Sequence, residues 1–337
     1  MREEYSTGTQ YNAENAIIGQ STVMSEIAID TLQGLSANPK YLLPKYFYDN
    51  AGSGIFQEIM KMPEYYLTNC ELEIFESHKK RFAEAFMEGV QTFNLIELGP
   101  GDGMKTKILL RFLVDTDVNF KFVPIDISKK ANDELTESLK REIPSLKIEP
   151  ETGDYFQLIK TIKHNPVTRQ IVLFLGSNIG NLNDQDISLF LNSLSEFTQT
   201  GDKVLIGFDL KKSPDVIMKA YNDPHGLTRK FNLNHLARLN RELQADFDLS
   251  RFEHHTEYNP LTGKVKSFLI STVEQSVYIG ALGQSYTFKQ WEPIFMELSR
   301  KFDLKNIEAL ALNHGFKVDH HFTDHRSYFV DSLWTKI

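Results

Sequence analysis

The run Asn94-Leu95-Ile96-Glu97-Leu98-Gly99-Pro100-Gly101-Asp102-Gly103 constrains this chain more than any other. An apolar stretch contains an acid near its end, glycines follow at alternate positions, and helix-like spacing resumes over residues 106–114. This is the pattern of a buried strand entering a tight turn, where backbone must approach a ligand with no Cβ in the way. Gly99, Gly101 and Gly103 supply that access. The next helix aims its free N–H groups and positive dipole end at the same turn.

The strand-then-acid theme recurs in order along the chain. Residues 121–126 form a second short apolar strand ending in Asp126, where a doubly wound fold offers a carboxylate to ribose hydroxyls. Residues 146–149 read as a third strand, followed by Gly153-Asp154-Tyr155. Residues 171–175 are a fully apolar fourth, leading into Gly176-Ser177-Asn178-Ile179-Gly180-Asn181, and residues 203–208 a fifth. Strands alternating with helical spacing predict an α/β fold with a parallel sheet. The glycine spacing then separates two cofactor classes. A dinucleotide loop needs Gly-x-Gly-x-x-Gly, whereas this one is Gly-x-Gly-x-Gly with Glu97 two residues ahead. Such a loop resembles the first motif of S-adenosylmethionine-dependent methyltransferases, whose cofactor carries a cationic amino-acid tail. Asp154-Tyr155 resembles the acid–aromatic pair that holds its adenine.

Composition narrows the partners. A net charge of -8, with basic residues dispersed, argues against nucleic acid or an acidic membrane. One cysteine, Cys70, rules out an internal disulfide framework and fits a reducing compartment. No signal peptide or membrane-length apolar run is visible, so a soluble cytoplasmic protein is expected, and a monomer or weak dimer is the expected assembly. His320, His321, Asp324 and His325 invite a metal reading, but strand alternation turns the first two to opposite faces, and none is expected.

Beyond residue 210 the pattern changes, with Pro214, Pro224 and Pro260 punctuating helical spacing at Phe231, Leu236, Leu239 and Leu243. Residues 265–273 and 276–282 read as two strands of a hairpin or meander. A helix over 302–314 and strands at 316–322 and 328–333 return to the α/β style. The expected organisation is a discontinuous cofactor domain, 71–212 and 286–337, with a second, smaller α+β substrate lobe from 16–70 and 213–285. A cleft between lobes is the expected place for a small ligand.

Several longer motifs resemble the histidine-specific Nα-methyltransferases of ergothioneine biosynthesis and their relatives acting on other amino acids. They are Tyr48-Asp49-x-x-Gly52-Ser53, Pro63-Glu64-Tyr65-Tyr66-x-Thr68, Glu97-Leu98-Gly99-x-Gly101, Leu175-Gly176-Ser177-x-Ile179-Gly180-Asn181-Leu182, Phe231-Asn232-x-Asn234 and Asn240-Arg241-Glu242-Leu243-x-Ala245-Asp246-Phe247. The resemblance runs from about residue 18 to the C-terminus. It implies a class I methyltransferase fold with a Rossmann-like seven-stranded sheet whose last strand is antiparallel. It also implies S-adenosylmethionine as cofactor, held by Gly99, Lys105, Asp126, Asp154 and Tyr155. By the same resemblance, Asn181 and Tyr221 meet the carboxylate of an amino-acid substrate, and Tyr48, Tyr65 and Gly176 surround its amine.

At the side-chain end, histidine-specific members present a glutamate two residues before a serine, which together grip the imidazole. The matching stretch reads as Leu282-Gly283-Gln284-Ser285, with Gly283 in place of the glutamate, and Ser267 or a neighbour replaces a methionine that packs on the imidazole. On that reading the pocket lacks a charged anchor, and a bulkier aromatic amino acid such as tryptophan becomes a candidate beside histidine. The expected reaction is attack of a neutral α-amine on the sulfonium methyl, repeated up to the trimethylated betaine, with S-adenosylhomocysteine leaving and Tyr48 orienting the amine. Two other readings stand beside it: a non-catalytic cofactor-binding scaffold, and a Rossmann-fold oxidoreductase, which the glycine spacing disfavours. Read without the resemblance, Tyr65 is equally a core aromatic, Asn181 a helix cap near Asp184, and Tyr221 a structural helix residue.

Overall fold

The computed structural model describes residues 24–154, 158–159 and 168–337. In chain order its elements begin with α1 (Glu26–Ser36), α2 (Asn50–Met60) and α3 (Tyr66–Met87). Then come β1 (Thr92–Leu98), α4 (Thr106–Asp115), β2 (Asn119–Asp126), α5 (Lys129–Glu142), β3 (Glu151–Thr152) and β4 (Arg169–Phe174). They continue with α6 (Asp184–Phe197), β5 (Lys203–Asp209), α7 (Pro214–Tyr221) and α8 (Leu227–Leu243). Strands β6 (Phe252–Asn259), β7 (Lys264–Ser271), β8 (Gln275–Ile279), β9 (Gln284–Phe288) and β10 (Pro293–Arg300) follow. Finally α9 (Leu304–Asn313), β11 (Phe316–Thr323) and β12 (Phe329–Lys336) close the chain. Two compact units result: the described residues up to Tyr66 with Lys212–Ser299, and Leu67–Lys211 with Arg300–Ile337.

The second unit is built on a seven-stranded sheet in the order β3-β2-β1-β4-β5-β12-β11. The pairs among β1 to β5 are parallel, and β12 runs antiparallel to both β5 and β11. This is the class I methyltransferase arrangement. Its inner strands are apolar runs buried on both faces, as a parallel sheet covered by helices requires. Every residue of β5 is buried, and Val172, Phe174, Ile206 and Phe208 share one core with Phe190 and Leu191 of α6. The third strand differs from expectation. Residues 146–149 contribute only a bridge from Ile148 to Phe122, and the ladder proper is two residues at β3, where Asp126 pairs with Thr152.

The first unit holds a three-stranded sheet, β10-β7-β6, and a separate hairpin, β8-β9. The two strands read from sequence as partners are therefore not partners: β7 pairs with β6, and β8 with β9. Phe47, Leu236, Leu239, Phe252, Leu269, Phe288 and Met296 form its core. Because β10 pairs with β7, this unit extends to Ser299 rather than ending at 285. Among the described residues no helix is long and apolar enough to cross a membrane.

Candidate active site

In the seven-stranded unit, the sheet brings the predicted cofactor residues to one edge. Glu97 lies at the end of β1, Asp126 at the end of β2 and Asp154 two residues past β3, and Gly176, expected beside the substrate amine, lies two past β4, all at the carboxyl ends of parallel strands. That edge is where open α/β sheets bind ligands. Tyr155 lies outside the described residues.

Glu97 is 2% exposed. Its Oε1 accepts a 2.6 Å hydrogen bond from the hydroxyl of Thr106, the first residue of α4, while its Oε2 is buried with no hydrogen-bond partner among the described residues. Desolvation pushes its carboxyl up to about 7, against the opposing pull of Thr106 and Lys105. A carboxylate oxygen left orphaned in this way is an acceptor for a cationic amine. Gly99 and Gly101 have φ of +69° and +58°, and a Cβ on either would stand in open space. Gly103 differs: a Cβ there would come within 2.7 Å of Leu135 on α5, so its missing side chain serves packing rather than ligand access. The loop thus offers exposed backbone and one buried acceptor, a donor and acceptor set that fits an adenosyl cofactor with an ammonium tail.

Asp126 is half-buried and accepts a 2.8 Å bond from the N–H of Ser128. Desolvation outweighs that bond and raises its pKa. Lys105 is ion-paired to Glu71 of α3, and the Glu71 carboxylate raises the ammonium's pKa despite desolvation, which alone would lower it. Glu71 also accepts the N–H of Gly176 at 2.8 Å. Asn181 ends a short 3₁₀ turn and is exposed. The cap of α6 is Asn183, whose Oδ1 accepts from the N–H of Asp186, so capping does not account for Asn181.

In the first unit the predicted substrate residues form a chain of rings. Tyr48 packs edge-on against Phe56 and Phe231, each at 5.5 Å, Phe56 meets Tyr65 at 6.1 Å, and Tyr65 meets Tyr221 at 6.4 Å. The motif residues around Tyr48 act as scaffold. Asp49 caps α2 through the N–H of Gly52 at 2.7 Å, accepts from Asn234 of α8 at 2.9 Å and pairs with Arg241. A Cβ on Gly52 would lie 1.8 Å from the carbonyl oxygen of Phe47, so only glycine lets the chain turn there. Asn240 similarly clamps both backbone groups of Phe247. Tyr48 itself is 48% exposed, yet its phenol pKa is raised, first by desolvation and then by Glu297 and Tyr221.

Tyr221 shares a 2.9 Å hydrogen bond with Ser299. Its backbone carbonyl accepts from Thr256 of β6, which stands opposite Ser267 of β7 in register. Antiparallel partners share a face, so buried Ser267 lies on the side where α7 docks. Gly283 and Ser285 do not join this group. Gly283 is the left-handed turn residue between β8 and β9 at φ +60°, and exposed Ser285 pairs across the hairpin with Tyr278. The residues missed are Glu297 and Ser299 on β10, two apart and hence on one face of the strand. Glu297-Leu298-Ser299 carries the glutamate-x-serine spacing that Gly283-Gln284-Ser285 lacks. The spacing is visible in the sequence, but β10 lacks the apolar–polar alternation that marks a half-buried strand.

The possible metal ligands resolve differently from the sequence cluster. Among the described residues one group of three acid or imidazole ligands converges, Glu73, Asp324 and His325, and both Nδ1 and the backbone N–H of His325 already bond to Glu73.

A family model described as histidine-specific methyltransferase, SAM-dependent, matches residues 27–336. The chain is similar to the histidine N-alpha-methyltransferase of Mycolicibacterium smegmatis, at 36% identity over 90% of this chain and 93% of that protein. The protein of the same name from Mycobacterium tuberculosis is 34% identical over 91% and 94%. Ergothioneine biosynthesis protein 1 of Schizosaccharomyces pombe is 28% identical, over 80% of this chain and 36% of its own length.

Proposed function

This chain belongs to the family of histidine-specific, S-adenosylmethionine-dependent methyltransferases, and from that premise we propose that it methylates the α-amine of histidine, up to the trimethylated betaine. The observation that carries the choice of histidine is the Glu297–Ser299 pair on one face of β10, with Ser299 hydrogen-bonded to Tyr221 and the Glu297 carboxylate acting electrostatically on Tyr48. Glu297 supplies the anion that an imidazole N–H, or an imidazolium, would meet, and Ser299 supplies a neutral hydroxyl beside it. The missing anchor that favoured a bulkier aromatic substrate is therefore supplied from β10. The protein names of the relatives point the same way.

When bound, S-adenosylmethionine supplies an electrophilic methyl on a sulfonium sulfur. We assign its adenosyl and amino-acid parts to Asp126, Asp154, Tyr155, Lys105, the Gly99–Gly101 backbone and the free oxygen of Glu97. The chain's own task is positional: the amine nitrogen must lie in line with the methyl, and such alignment is worth roughly 7–11 kcal/mol in favourable cases. Asn181 and Tyr221 are neutral donors for the substrate carboxylate. Tyr48 is a phenol at neutral pH, as an ordinary tyrosine is, and burial moves its pKa further up, so it orients the amine by hydrogen bonding rather than as a phenolate base. The rings of Tyr48 and Tyr65 suit the cation that grows as methyl groups are added. We further propose a cytoplasmic monomer or weak dimer with no nucleic-acid partner, on the strength of the net charge of -8 and the single cysteine.

The test is mass spectrometry of products after incubating the purified protein and cofactor with each standard amino acid separately, together with histamine and tryptamine. Mono-, di- and trimethylated histidine is the expected result. Preferential methylation of tryptophan or another amino acid overturns the substrate, and silence across the panel with cofactor still bound overturns the enzyme reading.

A further inference from the structure

Behind the cofactor residues lies a charge cluster that the reaction scheme has not used. Glu71 of α3 and Asp331 of β12 are 1% and 0% exposed. Asp331 stands opposite Gly207 in the β5–β12 register, and a Cβ on Gly207 would lie 2.6 Å from Oε1 of Glu71. The sheet therefore leaves a notch at Gly207 into which the Glu71 carboxylate fits, beside Asp331. Each Glu71 oxygen already accepts one hydrogen bond, Oε2 from Lys105 and Oε1 from the N–H of Gly176, and keeps a second lone pair. Both carboxylate oxygens of Asp331 are buried with no donor among the described residues.

Two ionised carboxylates are acceptors only, and no hydrogen bond joins them until one carries a proton. An ionised Asp331 at this position would also be a second buried anion with no cation of its own, which is strongly destabilising. One proton resolves both problems. We propose that Asp331 is a positioning residue, a neutral carboxylic acid that donates its proton to Glu71 and so keeps Glu71 a single anion bridging Lys105 and the Gly176 amide in the cofactor half of the site. This rests on reading that half as the cofactor site.

The charged groups facing the pair fit this assignment. Lys105 neutralises Glu71 but not a second anion, and Glu97 adds a further negative neighbour on the β1 side. Asp209, two residues from Gly207 on the same face of β5, is matched by its own ion pair to Lys301. Burial and then Glu71 hold the Asp331 carboxyl well above the usual carboxylate range, with Lys105 opposing.

The direct test is infrared spectroscopy of the protein without cofactor or substrate, at about pH 8, above the point where Glu97 ionises at about 7. A carbonyl band of a protonated carboxylic acid, absent in Asp331→Asn, is expected. Its absence from the wild-type protein overturns the inference while leaving the histidine reading untouched. Two variants test the positioning role by cofactor titration. Asp331→Asn keeps a neutral donor toward Glu71 and should leave cofactor Kd within about twofold, whereas Asp331→Leu should raise it about tenfold. Equal cofactor affinity in the two variants overturns the donor role, and so does a fall in melting temperature for Asp331→Leu with no change in Kd.

Discussion

The two units carry their candidate functional residues in opposite ways. In the seven-stranded unit the candidates sit at the ends of adjacent parallel strands, and Glu97, Asp126 and Gly176 are found by asking where an apolar run stops. In the other unit Tyr48, Tyr65, Tyr221, Glu297 and Ser299 come from a 3₁₀ turn's end, a loop, a helix and an edge strand of a three-stranded sheet. A strand-end site is specified by local order, because topology carries consecutive strand ends to one edge. A side-chain constellation is specified by packing, and nothing in the local sequence announces which distant residues will meet.

The largest effect that separates the two belongs to Glu97. Its folded pKa is raised from 4.5 to about 7, so the folded state holds this proton more tightly than the unfolded chain. The resulting stabilisation is fully present below about pH 4.5 and lost as pH rises to 7, with a ceiling of roughly 3 kcal/mol. Cofactor affinity should move the other way, strengthening as Glu97 ionises to meet a cationic amine. Glu97→Gln should flatten both profiles, read by chemical denaturation and by titration calorimetry across pH. Profiles that persist in the variant would place the titrating group elsewhere.

Glu297→Ala comes next and should touch only the side-chain site. Loss of a charged hydrogen-bond acceptor for imidazole should lower kcat/KM for histidine by roughly 10- to 100-fold, with cofactor Kd unchanged. Gly283→Ala should leave histidine turnover as it is. The reverse pattern in steady-state kinetics would restore the β8–β9 hairpin as the imidazole end.

The glycines split the cofactor loop itself. Gly103→Ala should destabilise by about 2 kcal/mol, through the Leu135 clash and the left-handed backbone, and lower the melting temperature. Gly101→Ala meets no side chain, so its melting temperature should fall less while cofactor affinity falls more. Equal behaviour would erase the distinction between packing and access. The smallest effect is expected at Tyr48→Phe. The ring contacts with Phe56 and Phe231 remain, so stability should hold while kcat drops about tenfold for want of the orienting hydroxyl. An unchanged kcat would remove Tyr48 from the amine's surroundings.

Most of the sheet was legible because its strands are apolar runs of ordinary length bounded by acids and glycines. The third strand was not, since two paired residues leave no periodic signal. The hairpin partners were misjudged for another reason: β7 and β8 are neighbours in sequence, yet each finds its partner on its other side. β10, which pairs with β7 beyond that hairpin, carries its own glutamate-x-serine spacing at Glu297 and Ser299.

By itself the sequence determined the glycine loop, the acid beside it, the order of strands and the motifs that lock α2 to α8. These are set by backbone geometry and burial over a few residues, which residue types express directly. Tertiary structure alone decided that Gly103 packs while Gly99 and Gly101 stay open, and that Ser299 bonds to Tyr221 with Glu297 on the same strand face. It also set Asp331 against Glu71 over a glycine in the neighbouring strand. Each depends on how close two distant segments come, and that distance follows from strand register and core packing.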